Sequence, residues 1–304
     1  MANLSSLSTE QRNPRTTELD QMSPLQIVQA MNEEDKRAAE AVGEVLPQIA
    51  EAISLATSCL RRGGRLIYVG AGTSGRLALL DAAECPPTFG VSSDKVIGIL
   101  AGGPQAFLQA VEGAEDSTTL CQEELERIGL SKDDLVIGLA ASGRTPFVVH
   151  GLRHARSVGC QTVAIACVRD SKIGAEAQLA IEPETGPEVL TGSTRLKAGT
   201  AQKMVLNMIS TGAMVGLHKT FQNLMVDVQQ TNEKLKDRAR RIVTEATDCS
   251  DERAQQALDE ASGSAKIAIV AVLLGVSAAQ AKQALERARG SVAAALEGRQ
   301  RHGL

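Results

Sequence analysis

Between residues 66 and 181 the chain repeats one texture: a short apolar run, then a longer stretch of helical spacing. The runs are Leu66–Val69, Val96–Leu100, Leu135–Ala140, Val163–Val168 and Leu179–Ile181. Each is too short for a helix, and most are followed by Gly, Ser or a charge. Arg76–Ala83, Ala106–Ile128 and Phe147–Val158 between them read as helices. Strands alternating with helices require a parallel sheet with right-handed crossovers and helices on both faces. The fold class is therefore α/β. Sites in such sheets lie at the carboxyl ends of the strands, at a switch point, so the loops beginning at Gly70, Ala101, Ala141 and Arg169 are those to search.

The flanks differ. Ser23-Pro24 reads as a helix cap with proline at the first position, followed by Leu25, Ile27, Val28 and Met31 at helical spacing. A second helix is expected over Glu40 to Leu60, with Pro47 breaking or kinking it. Ala198 to Leu217 carries Met204, Val205, Met208, Ile209 and Met214, the apolar stripe of a long helix. From Lys234 onwards the chain is helical and charged, with turns or helix starts at Cys249–Glu252 and Gly275–Ser277.

Composition removes several partners. The 304 residues carry a net charge of −4 without a basic block, which argues against nucleic acid. Aromatic residues are 2%, so stacking platforms for bases or sugars are scarce, and any sugar must be gripped by polar groups. The opening Met-Ala-Asn-Leu-Ser-Ser lacks the basic and apolar parts of a signal peptide. The longest apolar stretch, Ile267 to Ala279, falls short of the roughly 20 residues of a spanning helix. Six scattered cysteines without a CxxC pair suit reduced thiols, and the expected setting is cytoplasmic, with no membrane partner.

Gly70-Ala71-Gly72-Thr73-Ser74-Gly75-Arg76 follows a strand and opens a helix. Glycines permit the tight turn, and the helix start offers N–H groups to an anion. Read as a dinucleotide fingerprint it lacks the acid that should end the next strand, where Ala101-Gly102-Gly103 stands. Read as a nucleotide P-loop it has Arg76 and Leu77 where Lys and Ser or Thr are required. The hydroxyls of Thr73 and Ser74 suit a monophosphate instead, and a turn without a ligand is the competing reading. Ala141-Ser142-Gly143-Arg144-Thr145-Pro146 after the third strand repeats the pattern. Two such loops on adjacent strands would converge and cradle a dianion without metal.

Four further features are open to two readings. Glu84 and Glu115 sit among small residues, as an acid–base pair or as ordinary surface acids. Arg195 and Lys197 lie in Thr191–Thr200, as anion ligands or as charges at a capped helix start. His150 and His154 have the spacing of a metal pair without a third ligand, and Cys85 reads as reactive or as packing.

Several blocks resemble a known family. These are residues 70–76, Asp81–Thr88, Val111–Asp116, Ala140–Pro146, Glu188–Lys203, Asn223–Asp227 and Thr231–Leu235, with Thr9-Glu10 and Asn32–Lys36 at the start. Together they resemble the N-acetylmuramic acid 6-phosphate etherases, which share a sugar isomerase (SIS) domain with the glucokinase regulatory protein. The resemblance implies a SIS-type, flavodoxin-like sheet at 57–220 that binds phosphosugars. It would follow an N-terminal helical segment, 1–56, and precede a C-terminal helical region, 221–304, with a small helical domain at about 240–300. It implies cleavage of the D-lactyl ether of N-acetylmuramic acid 6-phosphate, giving N-acetylglucosamine 6-phosphate and D-lactate in cell-wall sugar recycling. Glu84 would protonate the departing lactate, and Glu115 would be the second catalytic acid or base. On the reading of the two loops, Gly72, Thr73, Ser74, Ser142, Gly143 and Thr145 would hold the phosphate, and on charge and position alone Arg195 or Lys197 would hold the lactyl carboxylate. The enzyme would be a homodimer using neither metal nor other cofactor. A phosphosugar-sensing binding protein and an aldose–ketose isomerase are the alternatives.

Overall fold

Ser23 starts the first long helix as expected. Its side chain accepts the Gln26 N–H, while Gln26 reaches back to the Ser23 N–H, a reciprocal capping box. The computed structural model describes residues 7–109, 111–230 and 233–302. Residues 1–6, residue 110 of the expected 106–128 helix, and Thr231 and Asn232 of the family block lie outside the described residues.

Helix α1 spans Pro24–Gly43 and α2 spans Leu46–Arg61. The expected break comes where Pro47 marks it: α1 ends at Gly43, and Pro47 sits in the first turn of α2, where its missing N–H costs nothing. Then follow β1 (Leu66–Gly70), α3 (Gly72–Phe89), β2 (Val96–Leu100), α4 (Leu120–Arg127) and β3 (Leu135–Leu139). They continue into α5 (Pro146–Val158), β4 (Gln161–Ile165), α6 (Lys172–Glu176), β5 (Leu179–Ile181) and α7 (Lys197–Gly216).

The five strands form one parallel sheet in the order β2-β1-β3-β4-β5. Every residue of β1 and β3 is buried, the mark of central strands covered on both faces. Ile67, Val69 and Val136 pack there with Phe147, Val148 and Leu152 of α5 and Leu125 of α4. Strand order reverses beside β1: β2 lies on one side and β3 on the other. The switch point therefore falls between the carboxyl ends of β1 and β3, where Gly70 pairs with Leu139.

Two helices depart from expectation. The segment expected to be helical from Ala106 to Ile128 begins in a 3-10 turn, Pro104–Phe107, and among the described residues no helix follows until Leu120. Positive φ at Gly113 breaks it. Helix α3 runs on past Ala83 to Phe89 with Pro86 and Pro87 inside its last turn, although each proline forfeits an N–H bond and crowds the carbonyl four residues back.

The chain divides into two compact units: the residues up to Ala83 with Ser93–Thr211, and Glu84–Ser92 with the residues from Gly212 onwards. The second holds a two-stranded antiparallel pair, β6 (Thr220–Phe221) and β7 (Leu224–Met225). Five helices follow: α8 (Glu233–Thr247), α9 (Asp251–Glu260), α10 (Ala265–Leu274), α11 (Ala278–Arg287) and α12 (Val292–His302). Its own core contains Ile242, Val243, Leu258, Ile269 and Leu285. Ser250, Ser264 and Ser277 cap α9, α10 and α11. Among the described residues no single helix is long and apolar enough to cross a membrane.

Candidate active site

The β1–α3 turn is built for close approach. A Cβ at Gly75 would lie 2.4 Å from Leu100 Cδ1 and 2.5 Å from the Gly70 carbonyl oxygen, so only glycine lets the helix start so near the strand end. Gly72, at the first position of α3, has φ +53°. Thr73 is half-buried, its methyl facing Gly199 of α7. Ser74 is buried, and its hydroxyl donates to Gln202 Oε1 at 2.8 Å, tying the turn to α7.

The β3–α5 loop is shaped the same way. Gly143 has φ +69°, and a Cβ there would meet the Ser171 Cβ at 2.4 Å. The Gly143 carbonyl accepts the Ile173 N–H at 3.0 Å, which binds the loop to α6. Ser142 and Thr145 are half-buried on either side of this turn, at the entrance to α5. The positive end of that helix dipole favours an anion here.

Glu115 joins the two loops. Its carbonyl accepts the Phe147 N–H of the first turn of α5 at 3.0 Å, which pins the 111–116 segment over the β3–α5 loop. Arg76, four residues beyond Gly72, donates to the carbonyls of Phe107 and Ala106, each at 2.8 Å, and so holds the 3-10 turn that follows β2. Two clefts result. One, of about 330 Å³, is lined by Gly72, Arg76, Glu112 and Glu115. The other, of about 460 Å³, is lined by Glu10, Glu115, Ser142, Arg144, Thr145 and Lys172. Glu115 is exposed and faces both.

The other expected residues fare differently. Glu84 is exposed on α3 and lines neither cleft; at 1.5 Å of rise per residue the helix carries it about 18 Å beyond Gly72. Arg195 is exposed and also lines neither. Lys197 does not suit the expected carboxylate-binding role. It is 1% exposed, with Nζ 2.5 Å from Glu34 Oε2, and Glu34 also pairs with Arg15. Burial pushes the Lys197 ammonium down to about 8, against the pull of Glu188. Glu188 itself is fully buried; burial raises its carboxyl, while the Lys197 and Ala198 N–H groups it accepts work the other way. The Glu188–Lys203 block thus begins by capping α7.

Glu10, Arg144 and Lys172 line the larger cleft without having been singled out. Arg144 and Lys172 lie in loops the strand pattern had marked, and Thr9-Glu10 stood only among the family blocks. Cys85 is a buried packing residue. No three His, Cys, Asp or Glu side chains gather as a metal site among the described residues.

Residues 48–156 match the family model for the glucokinase regulatory protein N-terminal SIS domain, and residues 122–211 match that for the SIS domain. A phosphoheptose isomerase from Francisella tularensis superposes with a TM-score of 0.49 at 16% identity, covering 63% of this chain and 98% of that one. Much nearer in sequence is the N-acetylmuramic acid 6-phosphate etherase of Mycolicibacterium smegmatis, 59% identical over 96% of this chain and 98% of that protein. The protein of the same name from Pectobacterium atrosepticum is 57% identical over 97% of this chain and 98% of its own length. Identity of that order along nearly the whole of both chains settles the family: this chain belongs to the N-acetylmuramic acid 6-phosphate etherases.

Proposed function

We propose that the chain cleaves the D-lactyl ether at C3 of N-acetylmuramic acid 6-phosphate, releasing D-lactate and N-acetylglucosamine 6-phosphate for reuse of cell-wall sugar. The observation that carries this reading is Glu115, where the clefts beside the β1–α3 and β3–α5 turns meet. The phosphate is held by backbone N–H groups and hydroxyls at Gly72, Thr73, Ser74, Ser142, Gly143 and Thr145, with Arg144 and Lys172 adding charge. That tether spends binding energy far from the reacting carbons on positioning them.

An ether resists direct displacement because an alkoxide leaves poorly. Ring opening exposes the C1 aldehyde and acidifies the C2 proton. The Glu115 carboxylate removes that proton, the electron pair forms the C2–C3 double bond, and the C3–O bond breaks. Glu84, as the acid, protonates the departing lactate oxygen. Water then adds at C3 of the conjugated aldehyde, and a proton returns to C2. Each proton transfer contributes roughly 10²- to 10⁴-fold. Lys197 serves in positioning, and the exposed Arg195 is the cation left for the lactyl carboxylate.

The working unit is a cytoplasmic homodimer. A second copy supplies Glu84, because α3 carries this side chain away from the turn that grips the phosphate, over a length greater than one sugar ring. The test is incubation of the purified protein with the muramic sugar phosphate, followed for D-lactate. Release of lactate also separates this reading from a phosphosugar-sensing binding protein, which would bind without turnover. Glu115→Gln is expected to abolish exchange of the C2 proton of the product in heavy water, and unchanged exchange would remove Glu115 as the base. Glu84→Gln is expected to remain folded and lose lactate release.

A further inference from the structure

A carboxylate that the mechanism does not use lines the cleft beside the β3–α5 loop. Glu10 shares that cleft with Glu115, Ser142, Arg144, Thr145 and Lys172. It stands in a 3-10 turn, Ser8–Glu10, close to the Glu188–Lys203 block: its Oε2 is 3.4 Å from where a Gly192 Cβ would sit. Among the described residues no hydrogen bond or ion pair reaches the Glu10 side chain, although two cations line the same cleft.

The segment that presents it is firmly held. Thr9, beside it, is completely buried. The Asn13 amide donates to the Pro187 carbonyl at 3.2 Å, and the Thr16 hydroxyl donates to the Val189 carbonyl at 2.8 Å. Arg15 pairs with Glu34, and Glu34 in turn with the buried Lys197. All but the Arg15–Glu34 pair reach across more than 160 residues of sequence, for Asn13 to Pro187 a separation of 174. An N-terminal arm fixed this thoroughly, presenting a half-buried carboxylate that nothing pairs with among the described residues, is preorganised for a ligand's hydrogen-bond donor.

We infer that Glu10 is a specificity-determining residue, whose carboxylate accepts hydrogen bonds from the uncharged donors of the bound phosphosugar, its ring hydroxyls or acetamido N–H. The inference rests on the phosphosugar reading of the cleft. Charge fixes which part of the ligand Glu10 faces. A carboxylate repels a phosphate dianion and a lactyl carboxylate alike, so only the neutral edge of the sugar suits it. Ser142, Thr145 and the start of α5 take the anion, and Glu10 reads what the anion is attached to.

The test compares wild type with Glu10→Ala and the isosteric Glu10→Gln in two assays. Calorimetric binding of N-acetylglucosamine 6-phosphate needs no turnover, and inorganic phosphate serves as the probe of the anion subsite. Loss of a hydrogen bond to a charged group predicts a rise in sugar-phosphate Kd of about 10- to 100-fold for Glu10→Ala. Glu10→Gln, which keeps an acceptor, should fall between it and wild type, and the Kd for inorganic phosphate should stay within about twofold of wild type, a factor worth under about 0.5 kcal/mol. In lactate release, KM should rise with kcat held nearly constant. An unchanged sugar-phosphate Kd overturns the inference. So does an equal loss for inorganic phosphate, which would make Glu10 merely structural. If wild type binds the sugar phosphate but releases no lactate, the etherase reading fails while the Glu10 comparison still stands.

Discussion

Lys197 shows how a single residue is misread without its surroundings. In Thr194-Arg195-Leu196-Lys197-Ala198 it looks like a cation at a helix start, open to an anion. Its partner, Glu34, is 163 residues away, and nothing local announces that both are buried. Removing one member of a buried pair leaves the other uncompensated, so Glu34→Ala should cost about 3–5 kcal/mol, read from urea midpoints. Replacing both, as Glu34→Gln with Lys197→Met, should recover most of that loss; an additive loss would show that the two do not work as a pair. Residues whose role is set by backbone conformation were far more legible. Gly72, Gly75 and Gly143 could be assigned to turns from spacing alone, because the need for positive φ or for close approach is a local one.

Elements followed the same division. The five strands were readable because a central parallel strand must be apolar throughout, and β2 and β5 fall where the runs do. The 111–116 segment was not, because its shape comes from the positive φ at Gly113 and from a long-range tie, the Phe147 N–H to the Glu115 carbonyl. At the opposite, amino end of the sheet, Asp134 makes a comparable tie. It accepts from the Arg65 N–H at 2.9 Å, the Arg65 guanidinium at 2.6 Å and the Ser131 N–H at 2.9 Å, while Arg65 also donates to the Ile128 and Gly129 carbonyls. Burial alone would raise the Asp134 carboxyl; the bonds from Arg65 and Ser131 outweigh it and hold the group below its ordinary 3.8. A lowered folded value means the folded state binds this proton less readily than the unfolded one. The contribution is therefore complete above pH 3.8 and is lost as pH falls through the folded value. Asp134→Asn should cost about 2–3 kcal/mol at neutral pH and progressively less towards pH 2, measured by urea midpoints across that range. The same cost at pH 7 and pH 2 would mean that packing, not charge, does the work.

At the scale of the whole molecule the sequence carried the family and the order of elements, but it does not say whether the proposed site draws Glu84 and Glu115 from one chain or from two. That is a matter of assembly, and the length of α3 bears on it: Glu84 is about 18 Å along the helix from Gly72, and Glu115 lies at the clefts beside the β1–α3 and β3–α5 turns. If a second copy supplies the acid, two inactive variants must complement each other. Take Glu84→Gln and Glu115→Gln chains, each inactive as a homodimer, and let them exchange subunits in equal amounts. Half of the dimers are then mixed, and in each mixed dimer one site receives both intact carboxyls while the other receives neither. Lactate release should recover to about one quarter of the wild-type rate per chain, the fraction that two-fold symmetry dictates. If both carboxyls came from the same chain, no site in any mixture would be whole and the rate would stay at the level of the separate variants. Native mass spectrometry of the same sample reports whether mixed dimers formed, so that a silent mixture containing them decides against the shared site.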